Sequence, residues 1–413
     1  MSTVKGLRIV VLGTMGADPY AGMAWMHMQI AAGLLRLGHD VHYIETTSAW
    51  PYDPSTGMRE ASDGYTVPYL ARLTASFGLG ERWAYRRSWG DCEWVGPQAA
   101  QAQDMLLHAD LVLNVSGSTS LSEDYLSAGR LVYFGTDPVG DEILYAAGDA
   151  RKVALIDEHQ DTVTYGENIG TPRCPLPPLP RLRGVTRQPV LMDLWDREAP
   201  PDALFTTVGN WRQDGHDLEW AGRQLRWSKH HEFLKFIDVP RRAGQVVELA
   251  TNLPAAGEES AAPAEPVDPN EIRGAESLDL QHLHLLQAGG WQLTDGPALS
   301  TDPWRYRDYI LGSRAEFTVA REFNVLTRSG WFSERSACYL AAGRPVVTQD
   351  TGFSDVLPCG EGLFAVDTAE QAVEAIRAIN ADYARHARAA KAVARDFFAA
   401  EVVLPKLLAD LGC

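Results

Sequence analysis

Short runs of branched apolar residues alternate with stretches whose apolar residues recur every three to four positions, and this alternation runs through most of the chain. Residues 7–13 (LRIVVLG) have the continuous apolar character of a buried parallel strand. Met23, Met26, Ile30, Leu34 and Leu37 then fall on one helical face. Gly38 fits a helix end that needs a positive φ, and residues 40–45 (DVHYIE) read as the next strand. Further strands are predicted at 110–116, 130–135 and 152–157 (KVALID). Residues 172–189 carry repeated prolines that neither helix nor central strand tolerates, so they are predicted to connect two domains. The alternation restarts at 205–208 and recurs near 246–250, 291–295, 316–319, 345–348 and 362–366. Residues 254–276 read as an acidic surface loop, and 368–411 as helix.

Strands alternating with helices imply doubly wound parallel sheets. The expected architecture is α/β, with two Rossmann-like domains facing across a cleft. Their expected bounds are 1–185 and 186–390, followed by a helical tail at 391–413.

The length of 413 residues agrees with two domains rather than one core. A formal net charge of −17 argues against nucleic acid or an anionic membrane as partner, though not against a small anion held by a local positive cluster. The amino terminus lacks a signal-peptide pattern and no apolar stretch is long enough to span a bilayer. Five scattered cysteines without CxxC spacing suit reduced thiols, so the expected location is cytoplasmic, with neither disulfides nor a zinc site.

Residues 327–352 (TRSGWFSERSACYLAAGRPVVTQDTG) hold the richest chemistry. They read as a loop, a helix opened near Ser333 and closed by Gly343, a buried strand, and a second loop at Asp350, Thr351 and Gly352. A helix amino terminus presents free N–H groups to phosphate, and Ser333, Arg335 and Ser336 add hydroxyls and a guanidinium there. The bland reading gives Ser333 only a capping role and leaves Arg335 solvated.

This segment resembles the nucleotide-sugar-binding half of GT-B glycosyltransferases, especially bacterial proteins related to the family 4 and group 1 enzymes. The resemblance lies in Ala341-Ala342-Gly343-Arg344-Pro345-Val346-Val347 followed by Asp350-Thr351-Gly352. It extends to the first strand, Gly loop and long helix with Leu37-Gly38-His39-Asp40-Val41, and to Gly209-Asn210-Trp211-Arg212 where the second domain opens. It implies a donor site that includes Gly209, Asn210, Arg212, Lys229, Ser333, Glu334, Arg335, Ser336, Asp350, Thr351 and Gly352. The two glutamates that retaining family 4 enzymes carry with seven residues between them are replaced by Gly330 and Cys338, with Glu334 in the intervening stretch. That departure counts against a retaining mechanism and leaves the stereochemical outcome open.

Arg321, after the strand near 316–319, is a further phosphate candidate. Asp18, in the first Gly loop, is the first candidate general base and His27, in the helix that follows, the next, with turn-forming and packing roles as their alternatives. Asp137 and His159, placed at predicted strand ends, are acceptor-side candidates, and residues 165–168 read as a turn lining the cleft. His230 and His231 are adjacent on a helix and should diverge, so they are not expected to chelate metal together. Without an Asp-x-Asp motif, a metal-held diphosphate is not expected either.

The function expected is a hexosyltransferase moving sugar from a nucleotide-diphosphate donor to a small-molecule acceptor by single displacement. No cofactor is expected, and the partners are donor, acceptor and at most a second copy of the chain. An Ala- and Arg-rich composition points to a natural product as acceptor. The competing readings are a nucleotide-sugar epimerase or phosphorylase and a non-catalytic nucleotide-binding scaffold. A dinucleotide oxidoreductase fits less well, because Gly13-Thr14-Met15-Gly16 is not G-x-G-x-x-G.

Overall fold

The computed structural model of the chain describes residues 6–46, 49–87, 89–119, 129–200, 203–213, 215–253 and 269–413, the side chains of 269–277 excepted. The chain forms two compact units. Unit 1 comprises Met1–Met192, Ser329–Glu334 and Asp396–Cys413; unit 2 comprises Asp193–Arg328 and Arg335–Arg395.

Among its described residues, unit 1 holds an eight-stranded sheet. Its strands are β1 (Arg8–Leu12), β2 (Asp40–Glu45), β3 (Trp83–Arg86), β4 (Trp94–Val95), β5 (Leu111–Val115), β6 (Arg130–Gly135), β7 (Asp161–Thr164) and β8 (Leu182–Val185). They lie in the order β8-β7-β6-β5-β1-β2-β3-β4, all parallel except β4 against β3. Helices cover such a sheet on both faces, which is why Ile9, Val10, Val11 and Leu12 are all apolar and all fully buried. Helix α1 (Ala21–Arg36) follows β1, and Gly38 (φ +92°) ends it in the left-handed conformation expected. A Cβ on Gly33 would lie 2.5 Å from Leu404 Cδ1, so the glycine lets the carboxy-terminal helix Ala400–Asp410 close onto α1.

Among its described residues, unit 2 holds a six-stranded parallel sheet of β9 (Phe205–Val208), β10 (Val247–Thr251), β11 (Trp291–Asp295), β12 (Ala315–Thr318), β13 (Val346–Gln349) and β14 (Leu363–Val366), in the order β11-β10-β9-β12-β13-β14. Its core is strongly aromatic: Trp291 stacks on Phe317 at 5.6 Å and meets Phe233 edge-on at 5.7 Å. Both sheets are thus Rossmann-like. In each, the chain winds outward on one side of the first strand and then restarts on the other. That reversal leaves a crevice outside the carboxy ends of β1 and β5 in unit 1, and of β9 and β12 in unit 2.

Several sequence expectations are corrected. Residues 152–157 are not a strand but lie in the helix Ala150–Asp157, capped by Asp149, whose carboxylate accepts the Lys152 amide at 2.9 Å. The proline-rich residues 172–189 do not separate the units: they belong to unit 1 and contain β8, an edge strand, where proline-rich flanks are tolerated. The chain passes into unit 2 only at Asp193, and from Asp396 onward it belongs to unit 1 again. Of the predicted acidic loop, residues 254–268 lie outside the described residues, whereas 269–276 begin the helix Pro269–Ala288.

Candidate functional site

In unit 2 the crevice between β9 and β12 is bounded by the loops that follow them. Gly209 continues β9, its amide bonded to the Ala250 carbonyl at 3.0 Å, and a Cβ placed there would meet no heavy atom within 4 Å. Asn210 is exposed beside it, while Trp211 turns inward. After β12, Val319 and Ala320 are buried and the Arg321 guanidinium lies over the Trp227 ring, 3.8 Å from its centroid. Trp227 packs in turn on Phe323 at 5.4 Å.

Arg335 does not present a cation to this crevice. Its Nε donates to Glu316 Oε1 at 2.6 Å, Nη1 to the Val208 carbonyl at 2.5 Å and Nη2 to Thr318 Oγ1 at 3.0 Å, all below the surface. The guanidinium ties together the carboxy ends of β9 and β12, the two strands at the reversal point. The physical reason is Glu316: an acid inside a fully buried strand needs a partner, and Arg335 supplies it. Ser336 is buried on the same helix, Glu334–Ala341, and among the described residues its hydroxyl has no partner.

Arg212 is paired with Asp279 at 3.0 Å. The half-buried Lys229 opens the short helix His230–Phe233, its carbonyl accepting the Glu232 and Phe233 amides. Asp350 shapes its own turn: Oδ1 accepts the Gly352 amide at 2.8 Å and Oδ2 the Ser354 hydroxyl at 2.7 Å, with Gly352 at φ +92°. Thr351 is buried beside it. The rings of His230 and His231 do not diverge as expected but lie 3.8 Å apart. Among the described residues no group of histidine, cysteine, aspartate and glutamate could hold a metal ion.

In unit 1 the loop after β1 carries Asp18. Thr14 Oγ1 donates to Asp18 Oδ2 at 3.0 Å, and Arg59 forms an ion pair with Oδ1. Arg59 stands on a two-stranded ribbon, Tyr52–Asp53 with Met58–Arg59, and also reaches the Trp50 carbonyl at 2.8 Å. Tyr20 stacks on Tyr52 at 5.5 Å, and Tyr20, Trp50 and Met58 are among the exposed large apolar side chains.

His27 is fully buried in α1. Its Nδ1 meets the Met23 carbonyl at 2.8 Å, which fixes the proton on Nδ1 and leaves Nε2 as an acceptor without a partner among the described residues. Burial pushes its pKa down to about 4, opposed by the Met23 bond and the Asp18 charge, so the imidazole is neutral at pH 7. Gly13 makes room for it, since a Cβ there would lie 2.5 Å from His27 Cδ2.

His159 follows a helix rather than a strand and is a packed histidine: Nδ1 bonds the Leu155 carbonyl at 2.7 Å and Nε2 meets Asn114 Nδ2 at 3.1 Å. With both nitrogens occupied in the interior, it is withdrawn as an acceptor-side residue. Asp137, partly buried beyond β6, keeps its place near the sheet edge. The turn at 165–168 is covered within unit 1. Asn168 donates to the Ser329 carbonyl at 3.0 Å, and Gly330 fits against Glu167 and Asn168 where a Cβ would come within 2.8 Å of both. Ser333 is half-buried, and Glu334 places its carboxylate at the amino end of α1, 3.1 Å from where a Gly22 Cβ would stand.

Sequence reasoning missed Glu316, Glu45 and Arg59. For the two acids the available signal was a charged residue inside an otherwise apolar strand; Arg59 gave none.

Neither protein-family profiles nor curated protein sequences match the chain. Solved structures do. HepE of Anabaena, crystallised with UDP and glucose, superposes with a TM-score of 0.54 at 12% identity, over 98% of this chain and 99% of that one. An alpha-glucosyltransferase held with UDP and a 13-mer DNA gives 0.53 at 12% identity, over 99% and 100%. A glycosyltransferase of Rickettsia africae gives 0.50 at 12% identity, over 98% and 97%. Over nearly its whole length, the chain has the GT-B fold of glycosyltransferases, built from two Rossmann-like domains.

Proposed function

We propose that this chain transfers a glycosyl group from a nucleotide-diphosphate sugar to a small-molecule acceptor by single displacement. The observation that carries this reading is the near-complete superposition on HepE, whose structure holds UDP and glucose, combined with an open reversal-point crevice in unit 2. There Gly209 lets a ligand approach the backbone closely, while Asn210 supplies polar contacts and Arg321 positive charge. Arg212, Lys229 and the Asp350–Gly352 turn lie on neighbouring loops and complete the donor side.

On the acceptor side, His27 is the proposed base. It is neutral, its proton is fixed on Nδ1, and Nε2 is a buried acceptor that no described protein group engages, so the acceptor hydroxyl must enter the loop after β1 to reach it. Asp18 supports the imidazolium that forms, since its charge favours the protonated ring. The exposed Tyr20, Trp50 and Met58 beside Asp18 suit an acceptor with an apolar or ring-bearing body, and the net charge of −17 disfavours a nucleic-acid acceptor. Departure of the diphosphate is supported by protein groups rather than metal, in keeping with the lack of an Asp-x-Asp motif.

The test is a thermal-shift and calorimetry panel of nucleoside diphosphates and their sugars, followed by mass spectrometry of transfer to ring-bearing acceptors. Saturable binding of one nucleotide with sugar transfer supports the reading. Failure of every nucleotide to bind overturns it.

A further inference from the structure

Glu45, the last residue of β2, is fully buried, and among the described residues it has no cationic partner. Three donors converge on its carboxylate instead. Oε2 accepts the Gly16 amide and the Tyr43 hydroxyl, each at 2.7 Å, and Oε1 accepts the Ala17 amide at 2.7 Å. The Tyr43 hydroxyl in turn accepts the Met15 amide at 2.9 Å. Three consecutive backbone N–H groups therefore point into the protein, toward one acid and its tyrosine. Successive amides turned to one side make an anion-binding concavity, and here the anion is the protein's own side chain.

The consequence lies one residue on. The Asp18 amide closes the same turn onto the Thr14 carbonyl at 2.8 Å, and Thr14 Oγ1 holds the Asp18 carboxylate. Gly16 is further fixed by Thr66, whose hydroxyl donates to its carbonyl at 3.1 Å. The Tyr43 ring also stands edge-on to His27, with centroids 6.2 Å apart. A single buried pair, Tyr43 and Glu45, thus supports both the turn that carries Asp18 and the ring that adjoins His27.

We propose that Glu45 is a positioning residue: its carboxylate acts as a built-in anion that pins the amides of Gly16 and Ala17 directly and that of Met15 through Tyr43, holds Asp18 and the Gly loop in place, and loosens that hold when protonated. The catalytic consequence rests on the glycosyl-transfer reading above; the pinning rests on the hydrogen bonds alone.

The groups facing Glu45 set the pH at which this happens. Burial raises its pKa to about 7, the Gly16, Tyr43 and Ala17 donors oppose the rise, and the Asp18 charge adds to it. Tyr85, its register partner on β3, is neutral at these pH values, as is His27. Arg59 engages Asp18 and the Ala17 carbonyl. On the alkaline side the three bonds are charge-assisted; on the acid side they are ordinary ones, roughly half as strong.

Hydrogen exchange of the peptide covering residues 14–18, corrected for intrinsic chemical rates, tests the pinning without any assay of transfer. Wild-type protection should fall about fivefold or more between pH 8 and pH 6. Glu45→Gln, which cannot accept three donors as a carboxylate does, should exchange at both pH values like wild type at pH 6. Tyr43→Phe removes a donor that favours the ionised form, so its midpoint should move to higher pH. The acid limb of kcat should follow the same order while KM for donor stays level. Glu45→Gln protection equal to wild type at pH 8, or wild-type protection that does not change with pH, overturns the inference. Should Glu45→Gln not fold, an unchanged midpoint in Tyr43→Phe overturns it. Exchange that behaves as expected in a protein that transfers no sugar sustains the pinning and sinks only the functional reading.

Discussion

Arg335 and Glu316 form a buried ion pair, Nε to Oε1 at 2.6 Å, directly beneath the point where the unit 2 sheet reverses its winding. Removing one partner of such a pair leaves the other charged and unsolvated, at a cost of about 3–5 kcal/mol. Arg335→Ala should therefore lower stability by about that amount in urea titration. A variant of unchanged stability that has lost nucleotide binding would return Arg335 to the ligand.

Arg321 makes the contrasting case, since its guanidinium stacks on an aromatic ring at the rim of the crevice. Arg321→Ala should weaken nucleoside-diphosphate binding by about tenfold to a hundredfold, the worth of one charge-assisted hydrogen bond. Calorimetry that finds equal affinities would remove it from the donor site.

For the base, His27→Ala should lower kcat by about 10²–10⁴ with donor affinity nearly intact. Asp18→Asn should cost less, because Asp18 is already engaged by Thr14 and Arg59 and acts on the imidazolium rather than on the acceptor. Turnover in His27→Ala within a few-fold of wild type would reverse this order and return Asp18 to the role.

Gly330 sits at φ +78°, and a Cβ there would lie 2.8 Å from both the Asn168 nitrogen and Glu167 Cβ. Gly330→Ala is strained in its backbone and has no room, so the melting temperature should fall by several degrees, about 1–3 kcal/mol. An unchanged melting temperature would show that the segment Ser329–Glu334 shifts freely.

Buried histidines give stability an acid limb. Burial lowers His27 and His159 to about 4, so between pH 6.5 and 4 each is neutral when folded and protonated when unfolded. The unfolded chain then binds the extra protons, and stability falls as pH drops through that window. His159→Gln should flatten the fall between pH 7 and pH 5 in chemical denaturation. Parallel curves for variant and wild type would mean that His159 titrates normally.

The sequence by itself determined the strand-and-helix frame. Residues such as 9–12 are apolar on both faces, which only a strand buried between helices explains, and Gly38 and Gly343 mark helix ends because their positive φ values exclude most other residues. That frame also located the loops after β1, β9, β12 and β13 as the places for chemistry. Tertiary structure decided which side chains in those loops face a ligand. Arg335 read as a surface cation because nothing local announces that Glu316, nineteen positions earlier, is buried and needs it. His159 read as a strand-end residue because KVALID has strand-like composition, and only Asp149 as cap and the packing of Ile156 make it a helix. Glu45 lay in plain view at the end of β2, yet two of its three donors, the Gly16 and Ala17 amides, come from a loop some thirty residues away. A sequence pattern records which residues are apolar and how often. The pairing of buried charges depends on which strands become neighbours, and that is fixed only when the sheet closes.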